Sequence, residues 1–500
     1  MADVTVGIAS SDAVPATASR RHRKNLLALS GSQLITWSLV LVWTFIVPRR
    51  LGPASWGILV TASALAGLLG VLMGYGMRNY YVREMVKVPQ NTGQLIATAL
   101  VTRLLLFVPG LALMAVFLEL FRFTSQQRFV IFLGTGVVYL AMLAEPLQAV
   151  FQATQHMEYL AASTTTDKVG QAVGAIILVL LGFGVVAVSI WWFLSTAIVL
   201  ALALLWVRPF ARLALRTGVG EMKAMLVDSF PFWTMGLFLT FYVWIDTAML
   251  SVMQPEHVVG WYGVPTRLFG TLLFAATIIS TAWLPRFVIA HEQGWDQLRS
   301  VARRPGEQLL ILGIPIALGS AVVAAPVIRL LYGPAYDGAI PVMVILALCV
   351  LPLYINILAN QLLVASGRQS VWTRVMIAAS VVNPLLNLAA IPAAATVFHN
   401  GAIGAAVSLL LTELFIAIFS FTRILRGVLD AHSMGRVFRA LMAGLLMAAL
   451  VYLVRGMGLA VEIGIGAISF GVLALVLRVP TEDDRRTVFA AVQRLRSRWR

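Results

Sequence analysis

The feature that most constrains this chain is a repeated one: apolar blocks of roughly 20 residues recur about fourteen times between Asn25 and Leu477. A block of that length crosses the hydrocarbon of a bilayer as a helix. Within lipid, a helix is the form in which a single segment satisfies all its own backbone groups. The blocks sit near 25–47, 56–77, 94–118, 129–153, 164–183, 185–207, 229–252, 258–284, 307–331, 339–365, 371–395, 401–425, 436–454 and 457–477. Gly182 and Gly184 alone part the fifth from the sixth, and Gly456 sets off the last. Composition agrees: 60% of the residues are hydrophobic and 12% charged, where a soluble domain carries about 25% charged. The sequence reads as an all-α polytopic membrane protein.

Charge then orients the blocks. A net charge of +16 in a soluble protein would suggest a nucleic-acid partner. Here nearly all Lys and Arg lie between the blocks, without aromatic interleaving, so they set topology and meet membrane lipids; no nucleic acid is expected. With the N-terminus inside, roughly 29 of the 37 Lys and Arg fall on the inner side and about six on the outer. Arg103 and Arg267 remain within the bilayer. Both termini are therefore expected to be cytoplasmic. The stretch from Asn25 to Val47 exceeds the apolar core of a signal peptide and reads as a retained first helix. Cys349 lies inside an apolar block as a small packing residue and can form no disulfide within the chain.

The expected organisation is a disordered tail (1–24), a first lobe of six helices (25–207), a connector (208–228), a second lobe of six (229–425), two further helices (426–478) and a basic tail (479–500). The connector and the segment 286–306 read as surface-lying helices. In the final tail Val488, Val492, Leu495 and Trp499 form an apolar stripe opposed by Arg485, Arg494 and Arg498, which suits an anionic inner leaflet. A weak repeat aligns the helix starting at Gly57 with the one starting at Gly260, matching Ser63 with Thr266, Gly67 with Gly270 and Arg83 with Arg286. Transporters built from such repeats hold substrate between their halves.

Chemistry-bearing residues narrow the function. There is no phosphate-binding Gly-rich loop ending in Lys and Ser or Thr, so the chain is not itself an ATPase. The His and Cys residues lack metal-ligand spacing, and no nucleophile is paired with a base, so an enzyme is not expected. Polar residues within the helices remain, and these are costly in lipid. They are Gln33, Arg103, Glu145, Gln148, Asp246, Arg267, Asn356, Asn360, Gln361, Asn383, Asn387 and Glu413. Asp246 and Arg267 fit either a buried structural pair or substrate and ion contacts. Arg103 can snorkel to the inner surface. Glu413 suits a packing hydrogen bond, and Asn383 and Asn387 can satisfy backbone groups freed by Pro384.

Several stretches then resemble a known family. Pro48-Arg49-Arg50-Leu51-Gly52-Pro53 with Trp56-Gly57, Asp246-Thr247-Ala248-Met249-Leu250 with Val259-Gly260-Trp261-Tyr262, and Leu331-Tyr332-Gly333 with Tyr336 occur in order. Ala365-Ser366-Gly367-Arg368, Asn383 with Asn387, Ile391-Pro392 and Gly404-Ala405-Ala406 with Glu413 follow. Together they resemble the Wzx-type oligosaccharide flippases of the multidrug/oligosaccharidyl-lipid/polysaccharide exporter superfamily. The resemblance implies two six-helix lobes around a cavity, two added C-terminal helices, and residence in a bacterial inner membrane. It further implies transfer of a polyprenyl-diphosphate-linked oligosaccharide by alternating access, beside polysaccharide assembly proteins. By position Arg78, Arg103 and Arg267 would meet the diphosphate, and Gln33, Gln148, Asn356 and Asn360 would line the cavity. Asp246 or Glu145 would couple a proton or sodium ion, with no other cofactor. The first helix offers Gln33, Thr36 and Ser38 but no charge, unlike the lipid II branch. The rival readings are a cation-coupled drug exporter of the same superfamily and a non-transporting subunit of an assembly complex.

Overall fold

The computed structural model describes residues 16–74, 76–211 and 217–481, with side chains from Leu39 onward apart from a few positions. Residues 1–15 of the expected first tail, the Gln33 side chain, and residues 482–500 of the expected basic helix lie outside the described residues. Residues 16–24 already belong to the first helix.

All elements among the described residues are helical. α1 (Ala16–Gly74) is two helices broken at Gly52, between Pro48 and Pro53. Gly52 has φ 76°, a left-handed conformation that glycine adopts without steric cost. α2 (Met77–Lys87), α3 (Thr92–Leu120), α4 (Ser125–Ala153), α5 (Met157–Leu180) and α6 (Val185–Val207) complete the first lobe. The second lobe holds α7 (Val219–Met253), α8 (Glu256–Leu272), α9 (Phe274–Glu292), α10 (Trp295–Val322), α11 (Ala324–Tyr332), α12 (Ala339–Leu348), α13 (Val350–Ala365), α14 (Gln369–Phe398) and α15 (Gly401–Phe419). α16 (Ala431–Leu453) and α17 (Leu459–Val476) follow. The two glycine-only boundaries are true turns, since Gly182 and Gly456 both have positive φ.

Among the described residues eleven helical segments are long and apolar enough to cross a membrane, or twelve when α12 and α13, bent by 42°, count as one span. The difference from about fourteen has two sources. Most of the first block falls where side chains are not described. The fifth is too polar, because α5 carries Asp167, Lys168 and Gln171. Two local expectations are also corrected. Residues 286–306 form no surface-lying helix: α9 runs to Glu292, Gly294 turns the chain at φ 110°, and α10 starts at Trp295. In the connector, the part from Val219 already belongs to α7. α2 is amphipathic: Met77, Tyr81 and Met85 recur every four residues on its buried face, and Arg78, Arg83 and Lys87 are exposed.

The last two helices attach to α10 rather than to the lobe interface. Glu307 accepts from both Arg436 and Ser433, all three nearly sealed from solvent, and Arg436 Nε also donates to the Val479 carbonyl at 3.0 Å. A buried charge in lipid must be paired in this way.

The lobes meet along α1 and α8, at the end of the bundle that holds the Gly52 turn. Gly57 and Gly260 face one another's helix there. A Cβ on Gly57 would lie 1.8 Å from the Glu256 carbonyl oxygen, and one on Gly260 would lie 2.0 Å from that of Pro53. These are the glycines that head the two aligned helices, each meeting the carbonyl four residues before its counterpart. Small residues permit such backbone approach between membrane helices. Around them Tyr336 Oη donates to the Pro48 carbonyl at 2.8 Å, Arg49 Nη1 to that of Leu330 at 2.7 Å, and Gln127 Nε2 to Glu256 Oε1 at 2.7 Å. At the opposite end, near Val88, Trp233 Nε1 donates to the Val71 carbonyl at 2.9 Å, Thr98 and Thr217 hydroxyls lie 2.8 Å apart, and Gln94 donates to Glu221.

Candidate substrate cavity

Between these two closures lies a cavity of about 450 Å³ walled by α1, α4, α5, α6, α7 and α8. Small side chains open the space: Ala62, Ser63, Ala66 and Gly67 on α1, and Gly134 on α4. Three indoles, Trp43, Trp192 and Trp244, supply its large surfaces. The Trp43 ring lies 5.8 Å from Trp192 and 5.6 Å from Trp56. The Nε1–H groups of Trp43 and Trp192 have no hydrogen-bond partner among the described residues.

Arg267 enters the cavity from α8 and is exposed within it. Its guanidinium lies 5.9 Å from the centre of the Trp43 ring, and no carboxylate pairs with it among the described residues. The stacking contact holds the cation but leaves its planar fork of donors uncommitted. Lys168 and Gln171 on α5 line the opposite wall. Asp167 is occupied by Gln171 Nε2 at 2.8 Å and Thr196 Oγ1 at 3.2 Å, and reaches the Lys168 ammonium only at 3.8 Å. Among the described residues no carboxylate lines the cavity.

The other expected site residues lie elsewhere. Arg103 is 1% exposed and pairs with Glu145 at 2.6 Å, with the Tyr81 ring 5.4 Å from its guanidinium carbon. Arg103 and Glu145, taken from sequence as separate diphosphate and ion contacts, thus form one ion pair away from the cavity wall. Gln148 donates to Ser163 Oγ at 3.0 Å, and Arg78 sits exposed on α2. Asp246 and Arg267 form no pair. Asp246 instead accepts from Asn387 Nδ2 at 2.6 Å and Tyr262 Oη at 3.1 Å, inside the second lobe. Glu413 accepts from Tyr242 Oη at 2.5 Å and Asn356 Nδ2 at 2.7 Å. Asn360 is partly buried on α13 and lines no part of the cavity.

The polysaccharide biosynthesis protein family matches this sequence over residues 22–291, more than half its length. The chain belongs to that family. No curated protein matches it. The solved lipid II flippase MurJ, in an inward closed conformation, superposes with a TM-score of 0.74 at 12% identity, over 90% of this chain and 98% of that one. An inward-facing multidrug resistance MATE transporter of the MOP superfamily superposes at 0.60 with 14% identity, over 80% and 98%. These likenesses show the fold, a two-lobed multi-pass membrane transporter fold.

Within this family member, sequence reasoning missed Lys168, Gln171 and the three tryptophans. Lys168 was counted among the inner-side charges, yet it stands eleven residues into α5. One signal did exist: the polar run Ser163 to Gln171 precedes an apolar stretch in one helix, as it must where one half of a helix faces water. The tryptophans carried none, since an indole on an apolar helix reads equally as packing.

Proposed function

We propose that this protein is a flippase that moves a polyprenyl-diphosphate-linked oligosaccharide from the inner to the outer leaflet for surface polysaccharide biosynthesis. The observation that carries the reading is Arg267, a membrane-embedded guanidinium open to the interlobe cavity with no carboxylate partner. A diphosphate offers it bidentate, charge-assisted hydrogen bonds. Lys168 adds a second cation across the space, and the indole faces provide apolar platforms for sugar rings. The lipid tail stays in the bilayer while the head crosses. The bias of Lys and Arg supports a topology with both termini in the cytoplasm, in which the Gly57–Gly260 crossing closes the outer side. Asp246 is the residue proposed to couple a proton or sodium ion, because Glu145 is committed to Arg103.

A cation-coupled drug exporter would need acidic groups where its cationic substrates sit, and the cavity wall has none among the described residues. The test is complementation of a deletion strain. The expected result is loss of surface polysaccharide in the deletion, restoration by the wild-type chain, and unchanged drug sensitivity. Intact polysaccharide with raised drug sensitivity would overturn the reading.

A further inference from the structure

A second polar space lies outside the cavity, at the Val88 end, in the corner between α9 and α10. It is a groove of about 440 Å³. Its polar lining is Arg286, Gln293, Gln297, Ser300 and Arg304, with Trp283 as one wall. Among the described residues no carboxylate lines it. Arg286 is exposed, with its guanidinium 4.9 Å from the centre of the Trp283 ring, and no acidic side chain pairs with it among the described residues. The nearby arginines differ: Arg299 is held by Asp296 at 2.9 Å and Arg303 by Asp430 at 2.7 Å, and Arg304 is engaged in an interaction of its own. Beside the groove Val288 and Ile289 are 40% and 58% exposed, so an apolar strip of α9 adjoins a cationic mouth.

The repeat supplies an internal comparison. Arg83 and Tyr80 occupy the positions in the first lobe that correspond to Arg286 and Trp283, and again the guanidinium lies over the ring, at 5.7 Å. There, however, Glu84 takes the arginine at 3.0 Å and also receives Lys87 at 3.3 Å. The motif is present twice, and only the second copy has its charge unspent. A strip for a hydrocarbon chain beside the Arg286 guanidinium and amide and hydroxyl donors matches a lipid whose head is a phosphoryl group.

We propose that this groove is a binding site for phosphoryl-headed lipids at the inner surface of the membrane, distinct from the cavity. The chemistry is shared by an anionic phospholipid and by a polyprenyl diphosphate, and the inference does not depend on what the cavity transports. It is tested by native mass spectrometry of the purified full chain with phosphatidylglycerol, with undecaprenyl diphosphate, and with diacylglycerol as a phosphate-free control. Arg286→Gln combined with Arg304→Gln should lower retention of the phosphoryl lipid by about tenfold, the scale of losing hydrogen bonds from charged donors. Arg83→Gln should change it less than about twofold, and diacylglycerol should be retained by neither form. Loss confined to the phospholipid identifies a resident lipid; loss confined to the diphosphate identifies a docking point for substrate. Arg286→Lys, which keeps the charge, serves if the double variant does not stay monodisperse, and should retain an intermediate amount. Wild-type retention of both lipids by Arg286→Gln/Arg304→Gln, by Arg286→Lys where it stands in, or an equal loss in Arg83→Gln, would overturn the proposal.

Discussion

Arg103 and Arg267 are the two basic residues that the sequence leaves within the bilayer, and their surroundings are opposite. Arg103 is closed off on α3 and spends its charge on Glu145 and the Tyr81 ring. Arg267 rests on an indole and opens into the cavity without a counter-charge. Both carry the same cost of bringing a cation into lipid. In the first lobe that cost is offset inside the protein, whereas at the lobe interface no carboxylate among the described residues offsets it.

The sharpest way to break this contrast is to remove the cation that is paired. Arg103→Ala should leave Glu145 uncompensated and cost about 3 kcal/mol, read as a lowered unfolding temperature and reduced protein level. Arg103→Met with Glu145→Met should recover most of that loss. If Arg103→Ala folds as well as wild type and fails only in transport, the pair belongs to the site after all.

A somewhat smaller effect is expected at the closure above the cavity. Gly57→Val cannot keep the α1–α8 approach, because its Cβ would meet the Glu256 carbonyl. With Cys349 replaced by Ala, a Ser63→Cys reporter in the cavity should react several-fold faster with an impermeant thiol reagent when Gly57 is Val. Unchanged labelling would mean that another contact forms the seal. Asp246→Asn comes next: transport should lose its dependence on an imposed proton or sodium gradient, slowing by about tenfold, the usual size of a coupling energy. Full gradient dependence in that variant would remove Asp246 from coupling.

How much of this was legible in sequence follows from range. Block length made an all-helical fold of many spans legible, because crossing lipid is a local requirement, although eleven or twelve spans rather than about fourteen stand among the described residues. The Gly57–Gly260 alignment signalled a pseudo-symmetric pair, and the structure places each against the other's helix. Partnership was not legible. Arg103 and Glu145 lie 42 residues apart in sequence, Asp246 and Asn387 lie 141 apart, and nothing local joins them. Side-chain direction set the remaining error. Lys168 falls near a helix end in a hydropathy reading but lines the cavity wall, since α5 starts earlier than its apolar part.

The smallest effect is expected in the turn between α11 and α12. There Arg329 binds both Asp337 carboxyl oxygens, at 2.8 and 2.9 Å, and holds that carboxyl below its usual range. With the folded value depressed, the contribution is present above the unfolded value of about 3.9 and is lost as pH falls through the folded one. Asp337→Asn should therefore lower the unfolding temperature slightly at pH 7, and the gap to wild type should close as the solution is acidified below about pH 4. A gap that persists in acid would mean that packing, not charge, holds this loop.

The central claim is that Arg267 receives the anionic head of a lipid-linked substrate, and reconstitution tests it most directly. Wild-type, Arg267→Ala and Arg267→Lys chains would be placed in liposomes carrying a fluorescent polyprenyl-diphosphate oligosaccharide, and its transfer between leaflets followed. The account predicts transfer by the wild type, loss in Arg267→Ala at equal protein incorporation, and partial transfer in Arg267→Lys. Equal transfer by all three chains would contradict it.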